Sequence, residues 1–139
     1  VSRFVLDCSV TMAWCFDDEA DGYADAVLDG LVDGTAVVPS RWPLEIANVL
    51  LVAERRGRLN KADSARFLEL LGALPIEVDG ETHGRAIGAI VSLGREHGLS
   101  SYDTAYLELA MRENVPLASL DQPLRLAAEG SGVSLLGPG

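Results

Sequence analysis

The sequence is poor in the residues that make ready-made chemistry. It has two cysteines and two histidines in 139 residues. Cys8 and Cys15 lie seven apart, which is neither a CxxC pair nor a zinc spacing. They read as reduced, buried thiols, since no histidine stands beside either to favour a thiolate. His83 and His97, fourteen apart, read as ordinary surface or turn residues. Neither GxGxxG nor GxxxxGKS/T occurs, so a loop cradling nucleotide phosphates is not indicated. No run approaches the roughly 20 apolar residues of a membrane span. The opening Val1–Asp7 is too short in apolar length for a secretory signal, so a cytoplasmic protein is expected. Repeats, low-complexity stretches and linkers are missing as well, which predicts one domain over residues 1–139.

Positive charge is also scarce. Eleven Lys and Arg face 21 Asp and Glu, for a net charge of −10. Seven of the acids fall between residues 17 and 33 with no base among them. Asp21, Asp25, Asp29 and Asp33 are four apart and are expected to align on one helix face, as a solvated surface or a place for a basic partner. The acidity is therefore mostly local. It disfavours a broad, non-specific DNA coat but leaves open a basic strip elsewhere.

Apolar periodicity supplies the architecture. Short apolar runs at Arg3–Leu6, Ala36–Pro39, Ile76–Asp79, Pro116–Leu120 and Val133–Leu136 read as five strands. Helices are expected at Ser9–Phe16, Ala20–Leu31, Pro43–Arg56, Lys61–Leu74, Thr82–Glu96, Tyr102–Arg112 and Pro123–Glu129. Ser9 is a plausible cap for the first. The alternation predicts an α/β fold: a central parallel sheet of about five strands with helices on both faces.

In such a sheet ligands bind beyond the carboxyl ends of the strands. Asp7 directly follows the first strand and Asp121 the fourth. Glu45 sits in the first turn of the helix after the second strand. Asp103 opens the helix before the fourth strand, and reaches the same edge only if a long connection carries it across. Singly, each acid has a plain reading as a turn residue, a cap or a first-turn acid. Together, three or four carboxylates on one edge would repel one another unless something neutralises them. A hard divalent cation such as Mg2+, held partly through water, would do so. Such a centre suits hydrolysis of phosphate esters. Six bases, Arg41, Arg55, Arg56, Arg58, Lys61 and Arg66, bracket the Glu45 helix. Of these, Arg41, Arg55, Arg56 and Arg58 are candidates to hold a nucleic-acid backbone. Trp14, Trp42 and Tyr102 are candidates for base stacking.

These residues resemble a known family. Val5-Leu6-Asp7-Cys8-Ser9-Val10 resembles the first motif of PIN-domain nucleases, and Pro43-Leu44-Glu45-Ile46-Ala47-Asn48-Val49-Leu50 the second. The run from Gly98 to Ala110, centred on Ser101-Tyr102-Asp103-Thr104, is similar to the third and is the most specific. Pro116-Leu117-Ala118-Ser119-Leu120-Asp121 is similar to the fourth, whose acid varies within the family. The likeness runs from residue 3 to about 136 and is nearest to VapC-type toxins of bacterial toxin–antitoxin pairs. It implies a Mg2+- or Mn2+-dependent endoribonuclease with Asp7, Glu45, Asp103 and Asp121 in one site. Ser9, Asn48, Thr104 and Ser119 would support those acids or touch phosphate. It also implies a homodimer and a VapB-type antitoxin, with DNA met only through the antitoxin. An apolar groove between the helices at 20–31 and 43–56 is the expected docking place, with Asp21, Asp25 and Asp29 steering a basic tail. Other readings remain. A haloacid-dehalogenase-type phosphatase also has an Asp after the first strand, but wants a second two residues on, where this chain has Ser9. A non-enzymatic binding module, or a catalytically weak PIN domain serving as a regulatory partner, would share the fold.

Overall fold

A computed structural model describes residues 3–137. Four parallel strands form one sheet: β1 (Arg3–Leu6), β2 (Thr35–Val38), β3 (Ile76–Val78) and β4 (Leu117–Ala118). Their order is β3-β2-β1-β4. Val5 is in register with Val37 on one side and with Leu117 on the other. The expected fifth strand shrinks to a single parallel bridge, Leu117 to Leu135. The reason is the brevity of β4: only Leu117 offers both its N–H, to Ser134, and its C=O, to the Leu136 N–H.

The helices are α1 (Cys8–Cys15), α2 (Gly22–Gly30), α3 (Trp42–Arg55), α4 (Lys61–Gly72), α5 (Thr82–Arg85), α6 (Val91–His97), α7 (Ser101–Glu113) and α8 (Gln122–Gly130). A 3-10 turn, Asp17–Glu19, separates α1 from α2. The single helix expected over Thr82–Glu96 is interrupted by a π-helical turn at Ala86–Ile90, where Gly84 and Gly88 weaken the α-helical preference. No helix among the described residues is long and apolar enough to cross a membrane.

Caps explain where the helices begin. Asp21 accepts hydrogen bonds from the backbone N–H groups of Tyr23 and Ala24, so it caps α2 instead of joining an acidic face. Asp33 lies beyond the end of α2, leaving only Asp25 and Asp29 exposed on that helix. Asn60 and Asp63 form a reciprocal capping box at α4. Asp7, not Ser9, stands at the N-cap of α1. α6 ends at Gly98, whose φ of 66° is the left-handed conformation glycine adopts without a Cβ penalty.

α7 is the centre of the core. Every residue from Thr104 to Ala110 is buried, so this helix has no solvated face along that stretch. Tyr106, Leu107 and Leu109 pack with Phe4, Leu6 and Leu117 of the sheet in one cluster. Trp42 is buried in the same cluster. Trp14 is half-buried and donates its Nε1–H to the Ala24 carbonyl at 2.8 Å, which ties α1 to α2. Both tryptophans are thus used internally, and of the three candidates for stacking only Tyr102 remains exposed.

Burial of α7 takes Glu108 with it. Arg112, one turn on, donates to both Glu108 oxygens at 2.9 and 3.1 Å. The same guanidinium grips both oxygens of Asp79, at 3.1 and 2.9 Å. Asp79 follows β3 and also accepts from the Thr82 hydroxyl, so the clamp joins the edge strand, α5 and α7. Arg112 holds the Asp79 carboxyl below its ordinary range.

Arg112→Ala strands a buried carboxylate, and denaturant unfolding at pH 7 is expected to show a loss of about 3 kcal/mol. Asp79→Asn tests the pH dependence. A carboxylate with a depressed folded pKa contributes fully above its unfolded value of about 3.9, and that contribution disappears as pH falls through the lower folded value. The stability gap between the native chain and Asp79→Asn is therefore largest near neutrality and closes in stronger acid.

Candidate functional site

The strand order places the site. The chain steps outward from β1 to β2 to β3, then crosses back to lay β4 on the other side of β1. The crevice between the ends of β1 and β4 is the switch point where parallel sheets bind ligands. Asp7 leaves β1 there, and Ser119 to Asp121 leave β4.

Asp7 is 5% exposed. Its Oδ2 accepts from the Ser9 hydroxyl and the Ser119 hydroxyl, each at 2.7 Å. Each hydroxyl is oriented in turn by a backbone donor: the Leu120 N–H reaches Ser9 Oγ at 2.9 Å, and the Asp121 N–H reaches Ser119 Oγ at 3.0 Å. Among the described residues no group donates to Oδ1. Burial raises the Asp7 pKa; the two hydroxyls oppose that, and the charges of Asp103 and Asp121 add to it.

Glu45 sits in the first turn of α3, half-buried. Its Oε1 accepts from the Tyr106 hydroxyl at 2.9 Å, and Oε2 has no donor among the described residues. Its pKa is raised by burial and by Asp7 and Asp103, and lowered by the Tyr106 bond and by Arg41. Asp103 lies in the first turn of α7, one turn before Tyr106, and its pKa is raised by burial and by the charge of Asp121. A side-chain hydrogen bond with Ser100 works against that rise, and the Ser100 hydroxyl also caps the helix by accepting from the Asp103 N–H at 3.2 Å. Asp121 caps α8 through Oδ2, which accepts from the Leu124 N–H at 3.0 Å. The mutual charge effects put Asp7, Glu45, Asp103 and Asp121 in one neighbourhood, with Asp103 brought across by α7.

Among the described residues, each of the four carboxylates keeps at least one oxygen without a donor. Among the described residues no three His, Cys, Asp or Glu side chains form a ready-made chelating cluster. The donors are all hard oxygens, with neither imidazole nor thiolate beside them. That set suits a hydrated Mg2+ or Mn2+, which needs only one or two direct carboxylates and keeps water for the rest. Cys8, next to Asp7, is no competing ligand: burial pushes its thiol up to about 12, and Cys15 up to about 11.

The other expected residues divide. Ser9 and Ser119 support Asp7 directly. Thr104 does not face the acids; it is buried and donates to the Ser100 carbonyl at 2.6 Å. There it packs against Gly94, where an added Cβ would come within 2.9 Å of its hydroxyl. Asn48 is exposed on α3, one turn beyond Glu45. Arg41 precedes α3, and the Glu45 N–H donates to its carbonyl. Arg55 and Arg56 lie at the opposite end of α3, about 15 Å from Glu45 at 1.5 Å per residue. Arg58 is engaged by Asp18 and Glu19 at 2.6 and 2.8 Å and stacks over Phe16, away from the carboxylates. Two residues were missed in sequence. Tyr106 orients Glu45, and its signal was a Tyr one helical turn after Asp103. Arg125 donates to the Ser119 carbonyl at 2.8 Å, one turn after Asp121.

The apolar groove also differs from expectation. It runs between α3 and α4 toward the edge strand, lined by Trp42, Ile46, Leu50, Leu51, Leu68 and Val78, and encloses about 450 Å³. Leu51, Leu68 and Val78 are exposed along it.

Ser119→Ala removes one of two charge-assisted hydrogen bonds to a buried carboxylate. Urea unfolding at pH 7 is expected to register a loss of about 2 kcal/mol. An unchanged midpoint would mean that the bond contributes nothing.

Comparison with known proteins agrees with this architecture. No curated protein matches the chain at a significant level. Among solved structures, PAE2754 from Pyrobaculum aerophilum superposes with a TM-score of 0.68 at 20% identity, covering 93% of this chain and 81% of that one. VapBC2 from Rickettsia felis, solved bound to a DNA fragment from their promoter, gives a TM-score of 0.68 at 13% identity, covering 96% of this chain and 97% of that one. FitAcB from Neisseria gonorrhoeae gives 0.61 at 19% identity, covering 97% of each chain. At these identities the likeness establishes the fold. The family model described as PIN domain matches residues 4–130, nearly the whole chain and all four acidic positions, and the chain belongs to that family.

Proposed function

We propose that this protein is a metal-dependent endoribonuclease, the toxin of a type II toxin–antitoxin pair. The observation that carries this reading is the buried Asp7 at the β1–β4 switch point, within electrostatic reach of Asp103 and Asp121 and itself felt by Glu45. Asp7, Glu45, Asp103 and Asp121 would hold the ion. When bound, Mg2+ or Mn2+ supplies a water of lowered pKa and positive charge against the phosphoryl oxygens.

The chain's own residues prepare that chemistry. Ser9 and Ser119 fix the Asp7 carboxylate in one orientation, so no reorganisation is needed when charge develops. Tyr106 does the same for Glu45, and burial with nearby anions raises its pKa, so its hydroxyl stays a donor. Hydroxyl donors are neutral. They orient the carboxylates without cancelling the negative charge that a cation needs.

The resemblance to VapC-type toxins and the superposition on VapBC2 support a VapB-type antitoxin as partner, a homodimeric toxin acting in the cytoplasm, and DNA contact only through the antitoxin. The groove between α3 and α4 is the apolar surface open to such an antitoxin. Arg55 and Arg56, exposed at the far end of α3, offer phosphate contacts beyond the cleft.

The test is cleavage of a mixed structured RNA pool, with and without Mg2+ or Mn2+, by the native chain and by Asp7→Asn and Asp103→Asn. Cuts that need the metal and fall more than about a hundredfold in both variants are expected. Cutting that persists in either folded variant would remove that residue from the mechanism, and cutting without any metal would overturn the reading.

A further inference from the structure

We infer that Arg41 and Tyr102 form a nucleotide-stacking subsite at the rim of the carboxylate cleft, seating the base beside the phosphodiester to be cut. The inference rests on the ribonuclease reading above. It begins with position. Arg41 is one helical turn before Glu45, and Tyr102 directly precedes Asp103. The Arg41 guanidinium lies 3.5 Å from the centre of the Tyr102 ring, so the pair spans the starts of the two helices that carry those acids.

The pair has capacity left over. Arg3, Arg58, Arg66, Arg85 and Arg112 each pair with carboxylates. Arg41 makes no ion pair or side-chain hydrogen bond among the described residues, so its donors are unspent. Tyr102 is 51% exposed although one face of its ring is covered by Arg41. Its hydroxyl likewise has no partner among the described residues. A planar cation stacked on a half-exposed ring offers a π surface to a nucleobase and a fork of N–H donors to the adjoining phosphate. It also sets positive charge beside acids that would otherwise repel an incoming polyanion. Bases inside an A-form duplex already stack on one another, so the nucleotide seated here must be unpaired.

The experiment uses steady-state cleavage of single-stranded oligoribonucleotides bearing a site found in the pool assay. Tyr102→Ala is expected to raise KM about tenfold with kcat nearly unchanged, and Tyr102→Phe to restore most of the loss. Arg41→Gln is expected to raise KM and to flatten its salt dependence. An abasic nucleotide is then moved through the positions flanking the cut. At one position the native chain should lose the same tenfold while Tyr102→Ala loses nothing more. Native cleavage with an unchanged KM in Tyr102→Ala overturns the subsite and leaves the ribonuclease standing. Failure of the native chain to cut any RNA with metal overturns both.

Discussion

Burying a carboxylate at the end of the central strand is costly, and much of the site follows from how Asp7 is satisfied. An ionised group withdrawn from water must be hydrogen-bonded or it takes up a proton. Here both donors are hydroxyls, one from the start of α1 and one from the segment after β4. Those bonds stitch together the two strand ends that flank the switch point. They also fix the path of the chain there, because the backbone N–H groups of Leu120 and Asp121 are spent on the same two hydroxyls. The result is a carboxyl group held in one orientation at the place where the fold opens.

A second acidic group, also led by an Asp beyond a strand end, shows what the alternative looks like. Asp79 and Glu108 are met by a guanidinium, not by hydroxyls. Arg112 offsets part of their charge and Arg85 approaches Glu108 at 3.9 Å; Asp79 is held below its ordinary pKa, and the group acts as a brace between β3, α5 and α7. At Asp7, Glu45 and Asp103 the shifts run upward, led in each case by burial. The two clusters use the same residue type for opposite ends. Acids paired with arginine carry structure, and acids left with neutral donors keep an appetite for a cation.

Much of this was legible in the sequence because it is local. An apolar run that stops at an Asp marks both a strand end and a site residue, as at Asp7 and Asp121. Pro43 marks a first helical turn, and Gly98 an end. The Arg112 clamp was not legible, because Asp79 lies 33 residues from its partner and in another element. The pairing of Arg58 was not legible for the same reason: its partners, Asp18 and Glu19, are 40 and 39 residues away. The fifth strand was over-read because an apolar run at Val133–Leu136 carries no sign of how short its neighbour is. Tyr106 was hidden by its own burial. A tyrosine at 1% exposure inside an apolar helix looks like core, and only the hydroxyl distance to Glu45 shows its second role.

A protein with a net charge of −10 can still receive a polyanion, because what an RNA meets is the field at one face. Three of the seven acids between residues 17 and 33 are engaged locally. Asp21 caps α2, and Asp18 and Glu19 hold Arg58 at the far end of α3 from Glu45. The bases that remain uncommitted along α3 are Arg41 at its start and Arg55 and Arg56 near its end. A phosphate backbone laid along that helix would find positive charge at both ends and the carboxylates at one. Placement alone then separates the part of the surface that repels RNA from the part that holds it. The same placement brings the strand to Glu45 and the carboxylates beside it, whose side-chain donors are hydroxyls and not guanidinium groups.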